Sequence, residues 1–257
     1  MTSELTFVND NDVGLITLNR PHKRNALTLS MYDQLAEICQ DIIDGRVALR
    51  AMIITGAGDK AFAAGTDISS FEGLISADDA LKYEQMMDRV LGLFESVPVP
   101  TVAAIRGACT GGGAAIALCC DLRIADDNLQ FGFPIARTLG NCLSTRNLAR
   151  IVESLGASLT RDILLTARLI RIDEALDVRL VSEFHEEPLK RALELAETFK
   201  QHAPLTMAAS KEGLRRIRQQ WAAVADDDLI VECYTSEDFR EGQKAFLEKR
   251  TPLWKGR

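Results

Sequence analysis

Three consecutive glycines stand between a strand and an apolar helix, and little else in the chain is as restrictive. Thr101 to Ile105 reads as a buried strand; Gly107 follows, then Gly111-Gly112-Gly113, then the apolar run Ala114 to Cys120. Glycines at a helix start let another group approach the backbone closely. The N–H groups there have no partner within the helix, and the helix dipole favours negative charge beside them. A second segment, Ala61-Phe62-Ala63-Ala64-Gly65-Thr66-Asp67-Ile68, places small residues where a strand ends and a helical turn can begin. Two N–H groups from two such loops can hold one developing oxyanion. Either segment alone reads equally well as a tight turn with close backbone packing. Neither matches a dinucleotide fingerprint or a phosphate-binding P-loop.

The surrounding pattern is α/β in the first half. Leu5 to Val8 and Gly14 to Asn19 read as strands joined by an Asn-Asp turn. Ser30 reads as a helix N-cap with Asp33 in the first turn, and Gly45 as the stop of that helix. Ala51 to Thr55 is a buried strand by its continuous apolar character, and Ala77 to Val97 a long helix halted by Pro98 and Pro100. Leu122 to Ala125 and Leu129 to Phe131 are short strands. From Ser144, the expected cap of a helix over 145–155, the signal is nearly all helical: 159–167, 173–178, 188–201, 205–219 and 226 onward, with one strand at Leu180 to Phe184. No proline- or serine-rich linker separates the halves, so the helical part is expected to pack on the first.

Composition removes several classes. The net charge is −7, which argues against broad contact with a nucleic-acid backbone. The basic stretch Lys211 to Arg218, with Arg215 and Arg216, reads as a solvated helix face. The longest apolar run falls far short of the ~20 residues of a membrane helix, and the N-terminus lacks a secretory pattern. Six cysteines without paired zinc spacing, and three isolated histidines, point to reduced thiols, a cytoplasmic location and no metal site.

Five ordered segments together resemble the crotonase family, the enoyl-CoA hydratase/isomerase superfamily, over almost the whole chain. They are Asn25-Ala26-Leu27; Ala61 to Ile68; Gly111-Gly112-Gly113 with Cys120-Asp121; Gln130-Phe131-Gly132-Phe133-Pro134; and Glu241-Gly242 with Ala245 to Arg250. The resemblance implies an α/β fold, a spiral of ββα units over 1–195, with a helical C-terminal trimerisation region over 196–257. It implies a homotrimer or a dimer of trimers. No cofactor is held permanently; coenzyme A arrives as part of an acyl-CoA substrate. The backbone N–H groups of Thr66 and Gly112 become an oxyanion hole for a thioester enolate. Lys23, Asn25, Ala26 and Leu27, with Ala64, Asp67, Ile68 and Ser69, lie along the CoA, and Phe246 and Lys249 reach CoA of the same or a neighbouring subunit.

The departures are informative. Hydratases of this family carry one glutamate after the triple glycine and one after the later proline; here those positions are Ala115 and Ile135. Neither can exchange a proton, so two-glutamate hydration is not expected. The loop Asn141 to Ser144, near which some isomerases place an Asp, has no carboxylate. Cys142 becomes an acid–base candidate if the helix beginning at Ser144 lowers its pKa; a packing thiol is the plainer reading. Arg137 and Asn141 are candidates to bind a substrate carboxylate or carbonyl. Glu72, Tyr83 and Glu84 read as solvated helix residues, and Tyr234, Glu237 and Asp238 as interface or pocket-wall residues. Three functions follow: a hydratase or isomerase acting through an enolate, an acyl-CoA decarboxylase with Arg137 holding the leaving carboxylate, and a CoA-binding subunit without chemistry.

Overall fold

The computed structural model describes residues 3–71, 76–221 and 224–257. In chain order its elements are β1 (Leu5–Asp10), β2 (Val13–Leu18), α1 (Leu29–Ile43), β3 (Ala51–Gly56), β4 (Ala61–Ala63), α2 (Ala77–Ser96), β5 (Thr101–Ile105), β6 (Ala108–Thr110), α3 (Gly112–Cys119), β7 (Leu122–Ala125), β8 (Gln130–Gly132) and α4 (Ile135–Thr138). There follow α5 (Thr145–Thr166), α6 (Ile172–Asp177), β9 (Glu183–Phe184), α7 (Pro188–Phe199), α8 (Pro204–Gln219), α9 (Asp227–Thr235) and α10 (Glu237–Leu247). The pairs β3/β4, β5/β6 and β7/β8 each give one strand to a six-stranded sheet, order β1-β2-β3-β5-β7-β9, and one to a three-stranded sheet, order β4-β6-β8. Each pair is followed by a helix, so the chain winds as repeated ββα turns.

Among the described strands β1 and β2 pair antiparallel and the other ladders are parallel. Their hairpin closes at Asp10↔Val13 through Asn11 and Asp12, both at positive φ (51° and 65°). That geometry matches the twist of the flanking strands, and Asn and Asp tolerate it. The parallel strands are buried on both faces. Met52, Ile54, Ala103 and Ile105 point into the main core with α1, α2 and α3. Ala51, Ile53, Val102 and Ala104 point to the opposite face, where Ala192 and Ala196 of α7 meet them. α7 thus runs through the expected 195/196 boundary as one piece packed on the sheet, and the chain breaks after it, at Lys200–Ala203.

Several expectations shift. Thr28, not Ser30, caps α1, its side chain accepting from Met31 N. The helices expected at 145–155 and 159–167 are both present, meeting within α5 at Gly156, whose backbone (φ 71°, ψ 160°) is not helical. Leu180 and Val181 are core residues outside β9, because Leu180 O accepts from Arg123 Nε and Val181 N donates to Ala175 O. The basic stretch on α8 is solvated only in part: Arg216 is exposed, while two other cations turn to the core. Lys211 Nζ binds Val99 O and Asp121 Oδ2, and Arg218 reaches Glu95 (2.7 Å) and Glu153 (3.0 Å). These cations fasten α8 to the core.

Candidate functional site

The loops after β4 and β6 meet because those strands are parallel neighbours, so both leave the same edge of the small sheet. Leu27 pairs with Thr66 and zips the first loop: Leu27 N donates to Gly65 O (2.8 Å) and Asp67 N to Leu27 O (2.7 Å). The second loop is pinned by Gly111 N donating to Gly132 O (2.9 Å). A methyl built on Gly65 would stand 4.0 Å from Gly112 N, which measures how closely the loops lie. Among the described residues, Thr66 N and Gly112 N donate to no backbone carbonyl. Gly112 is the first residue of α3, so its N–H has no partner within the helix and sits at the positive end of the helix dipole.

Two tyrosines shape this point: Tyr32, which sequence reading did not assign, and Tyr83, which is buried rather than solvated as expected. The Tyr32 hydroxyl, fully buried, lies 2.9 Å from Thr66 Oγ1, and Tyr83 donates to the same oxygen at 3.5 Å. Burial pushes the Tyr32 hydroxyl up despite the Thr66 hydrogen bond. A methyl on Gly112 would stand 2.2 Å from the Tyr32 hydroxyl and 2.9 Å from Thr66 Oγ1, so the position requires glycine. The only signal for Tyr32 was its place on the apolar face of α1 beside Met31 and Leu35.

The residues expected along a CoA divide into exposed and internal sets. Lys23, Ala64 and Ser69 are exposed, Ala26 is half-buried, and Leu27 and Ile68 are core. The side chain of Asn25 is committed internally. It accepts from Arg20 N and donates to Ala57 O and Ala61 O, which fixes the course of the Lys23–Leu27 stretch. Asp67 organises its loop. Burial opposes its charge, but Arg20 and two hydrogen bonds from Ser69 outweigh this and hold the carboxyl below its ordinary value. Phe246 and Lys249 are exposed near the end of α10, whose Gln243 and Phe239 touch Phe71. A hollow of about 170 Å³ beside Asn25 is lined by Arg24 and Lys60, two cations that sequence reading passed over. A cleft of about 520 Å³ between the large sheet and α7 contains none of the expected site residues.

The acid–base candidates change most. Ala115 is buried, and Ile135 opens α4 half-buried. Cys142 does not gain a thiolate from the α5 N-terminus. The neighbouring Cys233 thiol and burial push it up, and its Sγ faces Leu229 O. Arg137 is exposed and, among the described residues, makes no ion pair. Glu237 and Asp238 tie down the C-terminal tail through Lys255 and Gly256. Glu72 lies outside the described residues. Glu84 is not solvated: it is 5% exposed, and Tyr234 donates to its Oε1 at 2.5 Å. Asn141 Nδ2 donates to the Tyr234 hydroxyl at 3.3 Å. Burial raises the Glu84 carboxyl to about 7, against the Tyr234 hydrogen bond. Among the described residues no group of three or more acidic, Cys or His side chains is placed to hold a metal, and no helix is long and apolar enough to cross a membrane.

With the site described, known proteins can be set beside it. The sequence profile of the family described as enoyl-CoA hydratase/isomerase matches residues 9–257. A short-chain-enoyl-CoA hydratase of Clostridium acetobutylicum is 33% identical, over 93% of this chain and 92% of its own. A 2,3-dehydroadipyl-CoA hydratase of Escherichia coli is 32% identical, over 99% and 100%. Among solved structures, a methylmalonyl-CoA decarboxylase in complex with 2-nitronate-propionyl-CoA superposes with a TM-score of 0.87 at 26% identity, covering both chains completely. The wound ββα architecture agrees with these matches, and the chain belongs to the enoyl-CoA hydratase/isomerase family, the crotonase superfamily.

Proposed function

We propose that the protein is an acyl-CoA enzyme that stabilises a thioester enolate between Thr66 N and Gly112 N. The observation that carries this is the pair of uncommitted N–H groups on two touching loops, one at a helix N-terminus. Such donors act where charge develops, which is where they lower a barrier most. The hydratase relatives support a reaction of the hydratase/isomerase type. In this reading CoA runs along Lys23, Ala26 and Leu27, then Ala64 and Asp67 to Ser69, and reaches Phe246 and Lys249. Arg24 and Lys60 supply the local positive charge that a chain of net charge −7 must find for the CoA phosphates. CoA enters as part of the substrate, with no resident cofactor. The cytoplasm suits six free cysteines. Residues 196–257, from the last turn of α7 onward, form the oligomerisation region of a homotrimer or dimer of trimers.

Ala115 and Ile135 stand where two-carboxylate hydration needs its acid and base. Crotonyl-CoA hydration is therefore expected far below that of the hydratase relatives under the same assay. A rate matching theirs overturns this part of the reading. A second reading is decarboxylation, supported by the methylmalonyl-CoA decarboxylase likeness. Loss of CO₂ generates the enolate without a base. Consumption of methylmalonyl-CoA with release of CO₂ would select it.

A further inference from the structure

We infer that Glu84, positioned by Tyr234, carries protons to and from the acyl chain of a thioester seated between Thr66 and Gly112. The inference rests on the reading of the oxyanion hole given above and adds to it the missing acid–base group.

Its first support is placement. Tyr83 and Glu84 are adjacent on the inner face of α2, and Tyr83 already touches Thr66 Oγ1. The Tyr83 ring stands 6.1 Å from the Tyr234 ring, and Tyr234 holds the Glu84 carboxyl. α2 and α9 therefore place a buried carboxyl one residue along α2 from the tyrosine that touches Thr66. The family's two usual positions, on α3 and at the start of α4, are apolar in this chain.

The second support is what Glu84 lacks. Several other buried or half-buried carboxylates have a cation: Glu95 has Arg150 and Arg218, Asp67 has Arg20, and Asp88 has Arg150. Among the described residues no ion pair includes Glu84; its partners are the Tyr234 hydroxyl and the Ser144 backbone N–H. A buried carboxylate kept for stability is normally paired, because an uncompensated charge is costly to bury. In the same cluster Asn141 Oδ1 is buried and, among the described residues, accepts no hydrogen bond.

The third support is that the group can change state near neutrality. Burial holds it at about 7, and Asp88 on its own helix and Asp226 at the start of α9 push in the same direction. The other titratable groups facing it are Tyr32, Tyr83, Tyr234 and Cys142. The three hydroxyls are raised and stay neutral while Glu84 titrates, whereas Cys142 is raised by its hydrogen bond with Cys233 of α9, whose own thiol that bond lowers to about 7. Arg146 and Arg150 face Asp88 rather than Glu84.

The step balances within the site. The Glu84 carboxylate takes a proton from the α-carbon. The C–H electron pair forms the Cα–C double bond, and the carbonyl π pair moves onto the thioester oxygen, held by Thr66 N–H and Gly112 N–H. The neutral carboxyl then returns the proton to the α-carbon, giving exchange, or to the γ-carbon of an unsaturated chain, giving a double-bond shift.

The test is α-proton exchange of butyryl-CoA in D₂O, followed by mass spectrometry, with butyryl-CoA binding measured by calorimetry. Glu84→Gln keeps an acceptor for Tyr234 and is expected to lose exchange at least ~100-fold with binding retained. Tyr234→Phe removes a donor to the carboxylate and is expected to move the midpoint of the exchange pH profile upward, which a merely structural role would not do. Exchange by Glu84→Gln at the wild-type rate overturns the inference. So does an unmoved profile in Tyr234→Phe, which decides the matter if Glu84→Gln does not fold. Wild-type protein that binds butyryl-CoA without exchanging it overturns Glu84 as proton carrier and leaves thioester binding standing. Wild-type protein that binds no acyl-CoA overturns the reading of the site itself.

Discussion

At the scale of single residues, Gly112 sits at a three-way contact with Tyr32, Thr66 and Leu27. The demand on it is space rather than backbone conformation. A Cβ there meets the Tyr32 hydroxyl at 2.2 Å, and Tyr32 is fully buried with no room to retreat. Gly112→Ala is expected to cost about 1–3 kcal/mol of stability by overpacking and to displace Thr66, abolishing acyl-CoA turnover. Adding Tyr32→Phe removes the closest clashing atom. That change alone costs about 1 kcal/mol for the lost hydrogen bond to Thr66. The double variant is expected to be more stable than Gly112→Ala alone. Urea unfolding of the four proteins reads the coupling, and strictly additive losses would contradict the contact. The triple glycine was legible in the sequence as a close approach; what approaches it was not. Tyr32 comes from a helix eighty residues earlier, and no local pattern reports such a contact. Glu84 misled for the same reason. A charged residue in a helix reads as solvated until the partner element, here α9, is in place.

Between elements, α2 and α9 are joined by a titrating contact. Tyr234 of α9 donates to Glu84 of α2, and Asp226, just before α9, lies on the same side. Glu84 has a folded pKa near 7 against an ordinary value of 4.5. Its sign follows directly. Between those two values the folded state binds the proton that the unfolded chain releases, so stability falls as pH rises from about 4.5 to about 7 and is level above. Glu84→Gln cannot ionise. Relative to wild type it is expected to gain stability on passing from pH 5 to pH 8, by roughly 1–3 kcal/mol after allowing for relaxation around the charge. Thermal midpoints of both proteins at the two pH values check this; a constant difference would show that Glu84 does not titrate in that window. Elements themselves were read well where they are long or continuous. β3, β5, α2 and α7 follow apolar runs or helical spacing that leave little choice. The three-stranded sheet was not anticipated as a sheet, since strands of three residues are too short to show a period of two. Yet this small sheet brings the Thr66 and Gly112 loops together. The candidate site was thus legible as two motifs, and their juxtaposition was not.

For the whole molecule, α8 is arranged the wrong way round for a chain that stays alone. Two of its charged side chains face inward: Lys211 reaches Asp121, and Arg218 reaches Glu95 and Glu153. Its apolar side chains face outward. Leu214 is 62% exposed, Ile217 58%, and Trp221, just beyond the helix end, 56%, at a spacing that puts all three on one stripe. No residue of α8 is buried. A stripe of this kind, continuous along an otherwise well-docked helix, marks a surface that another protein covers. Fully burying each such side chain contributes about 1.5–3 kcal/mol, so two substitutions are enough to shift an assembly. If residues 196–257 hold a homotrimer together through this face, Leu214→Asp with Ile217→Asp is expected to convert it to monomer. The fold should survive, because neither side chain packs in the core and the inward ion pairs are untouched. Sedimentation velocity reads the mass, and circular dichroism the fold. A folded double variant that still sediments as wild type would place the interface elsewhere. The same variant separates assembly from chemistry. Thr66 and Gly112, and Glu84 and Tyr234, are brought together within one chain, so the monomer is expected to keep α-proton exchange, with weakened acyl-CoA binding only if a neighbour's Phe246 or Lys249 completes the CoA site.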